Sequence, residues 1–307
     1  MGRRDFILAL LVIIIWGANF TVVKLGLEGI PSMLLISLRY TITAIPAVFF
    51  IKRPKLEWKY IILYGLTVGV GQFACLFYAI EIGMPPGLSS IVVQVQAFIS
   101  PFLAWLILKE RLYTKQLIGF LAASVGLAII GLTSISGITR MPLGGFILTI
   151  GAAIFWAASN IVVRFAAERS FEKGQPLDML GLIVWGALVP PIPLLLFALI
   201  LYDPNTLVNA MINLGGISIF AILYLALGCT LFGYVIWSQL IAKYSVGKIA
   251  PLSLLIPITG LLTARLVLSE QLTTMQWLGV VIVLAGLIIA DLDFEPIVDF
   301  FKAKKQI

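Results

Sequence analysis

Apolar residues occur along the whole chain in runs of about 20 residues, separated by short polar segments. A helix that crosses the hydrocarbon core of a bilayer needs roughly 20 apolar residues, so each run predicts one spanning helix. The runs cover about residues 6–24, 31–51, 60–80, 88–108 and 115–133, and then about 144–163, 179–201, 214–240, 249–268 and 275–291. The pattern predicts an all-α integral membrane protein with ten transmembrane helices.

The second half of the chain repeats part of the first half. Shifting the sequence by 160 residues without a gap leaves 12 of the 30 positions from 103 to 132 identical. The matches include Glu110 with Glu270 and Gln116 with Gln276. Identical polar residues in apolar segments are harder to obtain by chance than identical apolar ones, so we interpret the match as an internal repeat.

A second alignment extends the repeat to the first span. A shift of 140 residues places residues 7–24 on residues 147–164, with 7 of 18 positions identical, and matches Trp16 with Trp156. Each copy has five predicted spans, so the second copy enters the membrane from the opposite side, as in the inverted repeats of secondary transporters. The predicted organisation is a first five-helix repeat over residues 1–138, a second, inverted five-helix repeat over residues 139–293 and a cytoplasmic tail over residues 294–307.

Composition and charge agree with a membrane protein. The chain is 61% hydrophobic and 11% charged, whereas soluble domains are about 45 to 50% apolar and about 25% charged. Short cytoplasmic loops carry an excess of Lys and Arg, and 17 of the 21 such residues lie on one side if the N-terminus is cytoplasmic. Of the others, Lys24 and Arg140 lie outside, and Arg39 and Arg265 lie within spans. Both termini are therefore predicted to be cytoplasmic.

The basic residues indicate topology and do not indicate a nucleic-acid partner, because they are dispersed in short segments between apolar runs. The segment after the fourth span carries Lys109, Arg111 and Lys115, whereas the corresponding positions of the second copy carry no Lys or Arg. This loss of charge is expected if the second copy is inverted and the segment faces outward. The partners expected on this basis are the lipid bilayer and a small-molecule substrate.

Polar side chains within the spans map a candidate path, because they are tolerated only where another helix or a water-filled cavity satisfies them. The candidate path residues are Trp16, Asn19, Gln72, Gln94, Gln96, Trp156, Asn160, Tyr234, Trp237 and Ser253, and Thr21 and Gln239 belong to the same polar set. Asn and Gln offer both donors and acceptors, which suits a zwitterionic or amide-like solute. The same groups could instead only join neighbouring helices by hydrogen bonds.

One charge and three prolines within the spans are further candidates. Arg39 is costly at depth unless it is paired or hydrated, so it either neutralises a substrate carboxylate or binds the carbonyls of a helix end. Pro101, Pro251 and Pro257 each remove a backbone hydrogen bond. We expect them to interrupt spans four and nine and to provide a site or a hinge.

The cysteines, the lack of histidine and the positions of the acidic residues argue against a metal site, a disulfide framework and catalysis. Cys75 and Cys229 lie in apolar runs and are expected to be small packing residues, and the chain has no histidine. No metal site, disulfide framework or cofactor is expected. Intramembrane catalysis needs paired carboxylates, a metal set or a nucleophile with its base, and the Asp and Glu residues lie in loops or near span ends. A membrane-embedded enzyme is therefore only a distant alternative.

Glycines recur at a spacing of seven residues in the last span of each copy, at Gly119 and Gly126 and again at Gly279 and Gly286. Small residues on one face of a helix let another helix approach closely in a membrane. This face predicts either a packing seam within the chain or a homodimer contact.

Four stretches carry a resemblance to a known family. They are WGANFTVVKLGLEGIP at 16–31, GMPPGLSSIVVQVQAF at 83–98, ERLYTKQLIG at 110–119 and APLSLLIPITGL at 250–261. The chain resembles the EamA-type carriers of the drug/metabolite transporter superfamily over nearly its whole length. The second and fourth stretches are similar in particular to the branch that exports O-acetylserine and cysteine. The resemblance implies ten helices, a central cavity and a bacterial inner membrane.

The function implied by this resemblance is export of small polar metabolites, namely amino acids or the cysteine-pathway metabolites O-acetylserine and cysteine, by alternating access through the cavity. Other branches of the superfamily carry nucleotide sugars or lipid-linked substrates, and this remains the alternative. Recognition of phosphates usually uses clusters of Arg or Lys, and Arg39 is the one such residue at mid-membrane depth.

Overall fold

The structure is a computed structural model that describes residues 1–135, 141–244 and 249–291. All regular secondary structure in these ranges is helical. Arg140 and the predicted tail at 294–307 lie outside the described residues.

Each predicted apolar run overlaps one helix of the structure. The helices are α1 (Arg3–Gly26), α2 (Ser32–Val48), α3 (Trp58–Glu81), α4 (Pro86–Leu108), α5 (Thr114–Ile135), α6 (Leu143–Glu172), α7 (Met179–Leu201), α8 (Gly216–Ile241), α9 (Leu252–Leu268) and α10 (Thr274–Ala290). Seven of them are long and apolar enough to cross a membrane, and α2, α9 and α10 are shorter apolar helices. A short helix between α7 and α8, Pro204–Ile212, has no buried residue.

The outer surface of the helix bundle is apolar. Large side chains such as Phe50, Ile200 and Leu266 are 86%, 77% and 81% exposed. Contiguous apolar surface of this kind marks a surface that contacts lipid or another protein. Asn19, Thr21, Arg39 and Gln72 are buried inside the bundle, which is the arrangement that a hydrocarbon environment requires for polar residues.

Two helices differ from the prediction. Helix α6 continues to Glu172, well beyond the predicted end of its apolar run. Helix α7 is interrupted after Gly186, and a new helical segment begins at Pro191. Pro190 and Pro191 lack a backbone N–H and therefore cannot continue the hydrogen bonds of the preceding turn.

Five described segments deviate from α-helical geometry, and four of them lie in corresponding spans of the two halves. Helices α3 and α8 contain π-helical segments at Gly65–Gln72 and Tyr224–Phe232. A 3₁₀ segment lies within α4 at Val93–Val95, and another leads into α9 at Ala250–Leu254. Such segments are frequent at functional sites because they redirect side chains and free backbone groups.

The prolines of spans four and nine do not all interrupt their helices as expected. The helical segment Gln96–Leu103 continues through Pro101, and a π-helical segment, Ala104–Leu108, follows it. Pro257 is the third residue of Leu255–Leu268, where its missing N–H would have no acceptor within the helix. Pro251 lies in the 3₁₀ segment, so an interruption is present there.

The glycine-rich faces form a seam between α5 and α10 of the same chain. A Cβ atom on Gly119 would lie 2.6 Å from the carbonyl oxygen of Gly286, and one on Gly126 would lie 2.6 Å from that of Gly279. The two backbones are therefore in direct contact. Of the two interpretations of this glycine spacing, the structure shows packing within the chain.

The turns after α4 and α9 have the same conformation. Lys109 and Ser269, which the 160-residue shift matches, have φ angles of 56° and 55°. In both turns the glutamine side chain at the start of the next helix accepts a hydrogen bond from a backbone N–H three residues earlier, and each bond is 3.0 Å long. The repeated sequence therefore produces a repeated local structure.

Asp178 caps the start of α7 and provides a test of the fold. Its carboxylate accepts a 2.8 Å hydrogen bond from the N–H of Gly181. We expect Asp178→Ala to lower the free energy of unfolding by about 1 kcal/mol, the usual cost of losing an N-cap. The matched control is Asp203→Ala, which removes the cap of the surface helix Pro204–Ile212. Thermal unfolding in detergent should detect a larger loss for Asp178, and equal losses would contradict this.

Candidate functional site: a central polar cavity

Two adjoining cavities lie inside the helix bundle. Their volumes are about 290 Å³ and about 280 Å³, and both are lined by Gln94, Gln96 and Ser253. The lining side chains come mainly from the middle of α1, α3, α4, α6 and α8 and from the start of α9. The non-α segments of α4 and α9 both border this space. The local irregularities of the helices therefore coincide with the cavities.

The residues predicted to line a path meet at these cavities. Nine of the ten line the larger cavity, and Asn160 lines the smaller one. Arg39 also borders the larger cavity, and Pro101 and Pro257 border the smaller one. The described lining contains one cation, Arg39, and no Asp or Glu.

Two residues of the predicted polar set lie elsewhere. The hydroxyl of Thr21 donates a 3.2 Å hydrogen bond to the hydroxyl of Thr263 between α1 and α9. Gln239 is exposed near the end of α8. Thr21 therefore fits the alternative interpretation, a hydrogen bond between helices, and Gln239 fits neither interpretation.

Trp16 is held at the edge of the larger cavity by one hydrogen bond and two aromatic contacts. Its indole Nε1 donates a 2.9 Å hydrogen bond to the carbonyl oxygen of Cys229. Its ring centroid lies 5.4 Å from that of Tyr234 and 5.2 Å from that of Trp237. Gly233 permits this approach, because a Cβ there would lie 2.6 Å from the indole nitrogen. Cys229, expected to be only a packing residue, also lines the cavity.

An amide cluster borders the smaller cavity. The side-chain nitrogen of Asn160 donates hydrogen bonds to Gln96 Oε1 at 3.0 Å and to Ser100 Oγ at 2.9 Å. The Ser100 hydroxyl in turn donates a 2.7 Å bond to the backbone oxygen of Gln96. Ser100 was not among the predicted residues, although its position four residues after Gln96 places it on the same face of the helix. The cluster joins α6 to α4 and presents donors and acceptors to the cavity.

Arg39 is a buried cation with an incomplete set of partners. It is 3% exposed, and its Nη2 donates a 3.1 Å hydrogen bond to the hydroxyl of Thr230. Its guanidinium carbon lies 4.2 Å from the ring centroid of Phe73. The Nε and Nη1 atoms have no hydrogen-bond partner in the described part of the chain, and no carboxylate lies within ion-pair distance there. Arg39 therefore does not bind a helix end, which was one of its two predicted roles.

Two amide oxygens of residues at the cavity also lack a hydrogen-bond partner in the described part of the chain. Asn19 Oδ1 and Gln72 Oε1 are buried, and neither has a hydrogen-bond partner among the described residues. Most buried polar groups in folded proteins are hydrogen-bonded, so each exception requires an explanation. All three residues with such atoms line the larger cavity.

These features define the class of protein. A bundle of apolar helices that exposes apolar side chains outward and encloses a polar cavity is typical of a multi-pass membrane protein. The chain belongs to the EamA-like transporter family, whose sequence pattern matches residues 4–132 and again residues 143–290. It is a transporter and not an enzyme.

Two similar proteins are bacterial. The chain is 42% identical to a probable amino-acid metabolite efflux pump of Salmonella typhimurium over 289 residues, which cover 94% of this chain and 95% of the relative. It is 40% identical to a protein described in the same words from Escherichia coli, with the same coverage. A more distant relative, 22% identical, is a probable terminal-alkyne amino-acid exporter of Streptantibioticus cattleyicolor, and the match covers 91% of this chain and 90% of the relative.

A solved crystal structure has a similar fold. It superposes with a TM-score of 0.59 over 94% of this chain and 97% of that chain, at 16% sequence identity. At this identity the likeness shows the fold alone.

Proposed function

We propose that the chain exports small amino-acid-type metabolites, with O-acetylserine and cysteine as the first candidates, by alternating access through the central cavity. The observation that carries the proposal is that the mid-span polar and aromatic residues line two adjoining cavities. The lining offers amide donors and acceptors, aromatic rings and one cation. These groups suit a small solute that carries both a carboxylate and an ammonium group. The two bacterial relatives, both probable amino-acid metabolite efflux pumps, support the same class of substrate.

The proposed topology has ten membrane crossings in two inverted five-helix repeats, with both termini in the cytoplasm of a bacterial inner membrane. The two matches of the family pattern and the shared conformation at Lys109 and Ser269 support the repeat. The excess of Lys and Arg on one side supports the orientation.

Efflux from proteoliposomes tests the proposed substrate class. Purified protein is reconstituted into liposomes that are preloaded with labelled O-acetylserine, cysteine, asparagine or glutamine, and the initial rate of release is measured against liposomes without protein. We expect release of at least one of these solutes to be about tenfold faster than the leak. Release at the leak rate for all four would overturn the proposal.

The same assay separates the alternative substrate class. A labelled nucleotide sugar should be retained, because the described lining of the cavity has one cation and not the cluster that phosphates require. Rapid release of the nucleotide sugar together with retention of the amino acids would favour the other branch of the superfamily.

A further inference from the structure

Three residues that line the larger cavity carry buried polar atoms with no hydrogen-bond partner among the described residues, and these atoms are of two complementary kinds. Arg39 offers two nitrogen donors that lack an acceptor, and Asn19 and Gln72 offer two oxygen acceptors that lack a donor. These three residues come from three different helices, α2, α1 and α3. Their convergence on one cavity is therefore a product of the fold and not of a local sequence motif.

The surroundings of Arg39 define what its missing partner must be. Burial of a charge is costly unless the charge is paired, and the rings of Phe73 and Tyr40 provide only cation–π contact, at 4.2 Å and 5.4 Å. The Thr230 hydroxyl already donates its own proton to the carbonyl oxygen of Leu225 at 2.9 Å, so it serves Arg39 only as a neutral acceptor. An arginine pairs most favourably with a planar carboxylate.

The oxygen atoms of Asn19 and Gln72 need donors, and an ammonium group provides three N–H donors. No Lys side chain lines the cavity in the described part of the chain, so the protein does not provide this ammonium itself. The larger cavity, which all three residues line, has a volume of about 290 Å³ and therefore admits a small solute that carries both missing groups.

We propose that Arg39 binds the carboxylate of an α-amino acid substrate, and that the amide oxygens of Asn19 and Gln72 accept hydrogen bonds from its ammonium group. This subsite rests on the proposed function, because it assigns the charged ends of the same substrate. The side chain of the substrate then extends toward the amide cluster of Gln96 and Asn160 in the adjoining cavity. The cation–π contact with Phe73 holds the guanidinium in place while the subsite is empty.

Substrate analogues test the subsite in the unaltered protein. Proteoliposomes loaded with labelled O-acetylserine are compared with liposomes loaded with its carboxamide, which lacks the carboxylate, and with N,O-diacetylserine, which lacks the ammonium group. Because a charge-assisted hydrogen bond is strong, we expect each analogue to leave about 10- to 100-fold more slowly. Equal rates for O-acetylserine and its carboxamide would overturn the assignment of Arg39.

Variants assign each end of the substrate to its residue. Arg39→Gln should reduce the discrimination between O-acetylserine and its carboxamide to within about threefold, and Arg39→Lys should retain part of it. Asn19→Ala and Gln72→Ala should reduce the discrimination against N,O-diacetylserine and leave the carboxamide discrimination unchanged. Elution by size exclusion shows whether each variant is folded.

The outcomes distinguish the two proposals. If the unaltered protein releases none of the four solutes, the proposed function fails. If it releases O-acetylserine and Arg39→Gln keeps the full discrimination against the carboxamide, only the subsite is wrong. If Arg39→Gln does not fold, the analogue series in the unaltered protein still decides whether a carboxylate is recognised.

A different observation concerns two carboxylates at matched positions of the repeat. Glu110 forms a 2.7 Å ion pair with Arg164 of α6. Its counterpart Glu270 instead accepts hydrogen bonds from the backbone N–H groups of Gly87 and Leu88, at 2.9 Å and 3.2 Å, at the start of α4. Among the described residues, Glu110 therefore pairs with a basic side chain and Glu270 with backbone N–H groups.

The repeat also provides a counterpart for the partner of Glu110. The 140-residue shift matches Arg164 with Lys24 at the end of α1, so the pair equivalent to Glu110 with Arg164 is Glu270 with Lys24. Lys24 has no carboxylate partner among the described residues. Burial raises the pKa of the Glu270 carboxyl, and the two N–H donors oppose this effect.

We infer that Glu270 closes the outer side of the cavity while it binds the start of α4, and that it moves to Lys24 when that side opens. The inference rests on the proposed inverted topology, which places Glu270, Lys24 and the start of α4 on the outer face. Inverted repeats exchange their conformations during alternating access. Glu270 can therefore form with Lys24 the ion pair that Glu110 forms with Arg164.

Cysteine accessibility tests this closing contact. Ser90 is fully buried between α4 and α9, so Ser90→Cys, in a chain with Cys75 and Cys229 replaced by alanine, reports opening to a membrane-impermeant maleimide added outside intact cells. We expect Glu270→Ala to raise the labelling rate about tenfold, since two charge-assisted hydrogen bonds are lost. Lys24→Ala should lower the rate, because the open side loses its ion pair.

The control is Glu28→Ala, which removes an exposed carboxylate from the segment between α1 and α2 and should leave the labelling rate unchanged. An unchanged rate for Glu270→Ala would overturn the closing contact. A raised rate for Glu270→Ala with an unchanged rate for Lys24→Ala would overturn the move to Lys24. If Glu270→Ala does not fold, Glu270→Gln, which keeps one acceptor oxygen, provides the same comparison with a smaller expected rise.

Discussion

Replacing Trp16 with alanine is expected to slow efflux by at least about tenfold. The change removes the 2.9 Å hydrogen bond to the Cys229 carbonyl and the ring contacts with Tyr234 and Trp237. Aromatic pairs contribute about 0.5–1.5 kcal/mol each and a hydrogen bond about 1 kcal/mol, so their combined loss leaves α8 poorly held against α1. The readout is the initial rate of release of labelled O-acetylserine from proteoliposomes.

Two further variants separate the roles of the indole. Trp16→Phe keeps an aromatic ring and loses only the hydrogen bond, so its rate should fall by only about two- to fivefold. The matched control is Trp105→Ala, which breaks a ring contact with Phe102, whose centroid lies 5.5 Å away, on an exposed face of α4. If Trp105→Ala slows release as much as Trp16→Ala, the effect is not specific to the cavity.

Gly17→Ala is expected to lower the free energy of unfolding by about 1–3 kcal/mol, the usual cost of overpacking a close contact. A Cβ atom on Gly17 would lie 1.8 Å from Thr259 Oγ1 and 2.9 Å from the backbone nitrogen of Gly260. Because one of these contacts is with backbone, a change of rotamer cannot relieve it, and α1 must move away from α9. The measurement is the thermal unfolding midpoint in detergent, followed by size exclusion.

The control for Gly17→Ala is a glycine with space around it. A Cβ atom on Gly151 in α6 would have only Cys75 Sγ near it, at an ordinary contact distance of 3.8 Å. Since alanine favours a helix over glycine by about 1 kcal/mol, Gly151→Ala should leave the protein unchanged or slightly more stable. A double variant, Gly17→Ala with Thr259→Ala, should recover part of the loss, and the absence of any recovery would contradict the contact.

The approximate helix positions followed from apolar runs because a bilayer requires a nearly constant length of apolar helix. The observed helix boundaries differ from the predicted ones in α6 and α7. Helix α6 continues beyond its apolar run through Arg164 and Arg169, because helical geometry does not require an apolar residue at every position. The break before Pro191 in α7 went unpredicted, although two adjacent prolines are a sufficient signal for it.

Part of the candidate site could also be predicted from the sequence, because the bilayer constrains polar residues as well as apolar ones. Polar groups such as Gln72 and Asn160 are so costly in hydrocarbon that their presence within spans indicated a cavity or a helix contact. Sequence could not distinguish these two, because the distinction depends on which face meets which neighbour. Thr21 and Gln72 illustrate this, since one joins α1 to α9 and the other faces the cavity.

The sequence by itself determined the class of protein, the approximate positions of ten apolar helices and the polar residues to examine, because hydrophobicity and repeat spacing act locally along the chain. Only the tertiary structure decided which of these residues converge. The unpartnered nitrogens of Arg39 and the different partners of Glu110 and Glu270 depend on packing between helices distant in sequence. Hydrogen bonding and burial are properties of the packed bundle, so no pattern along the chain contains them.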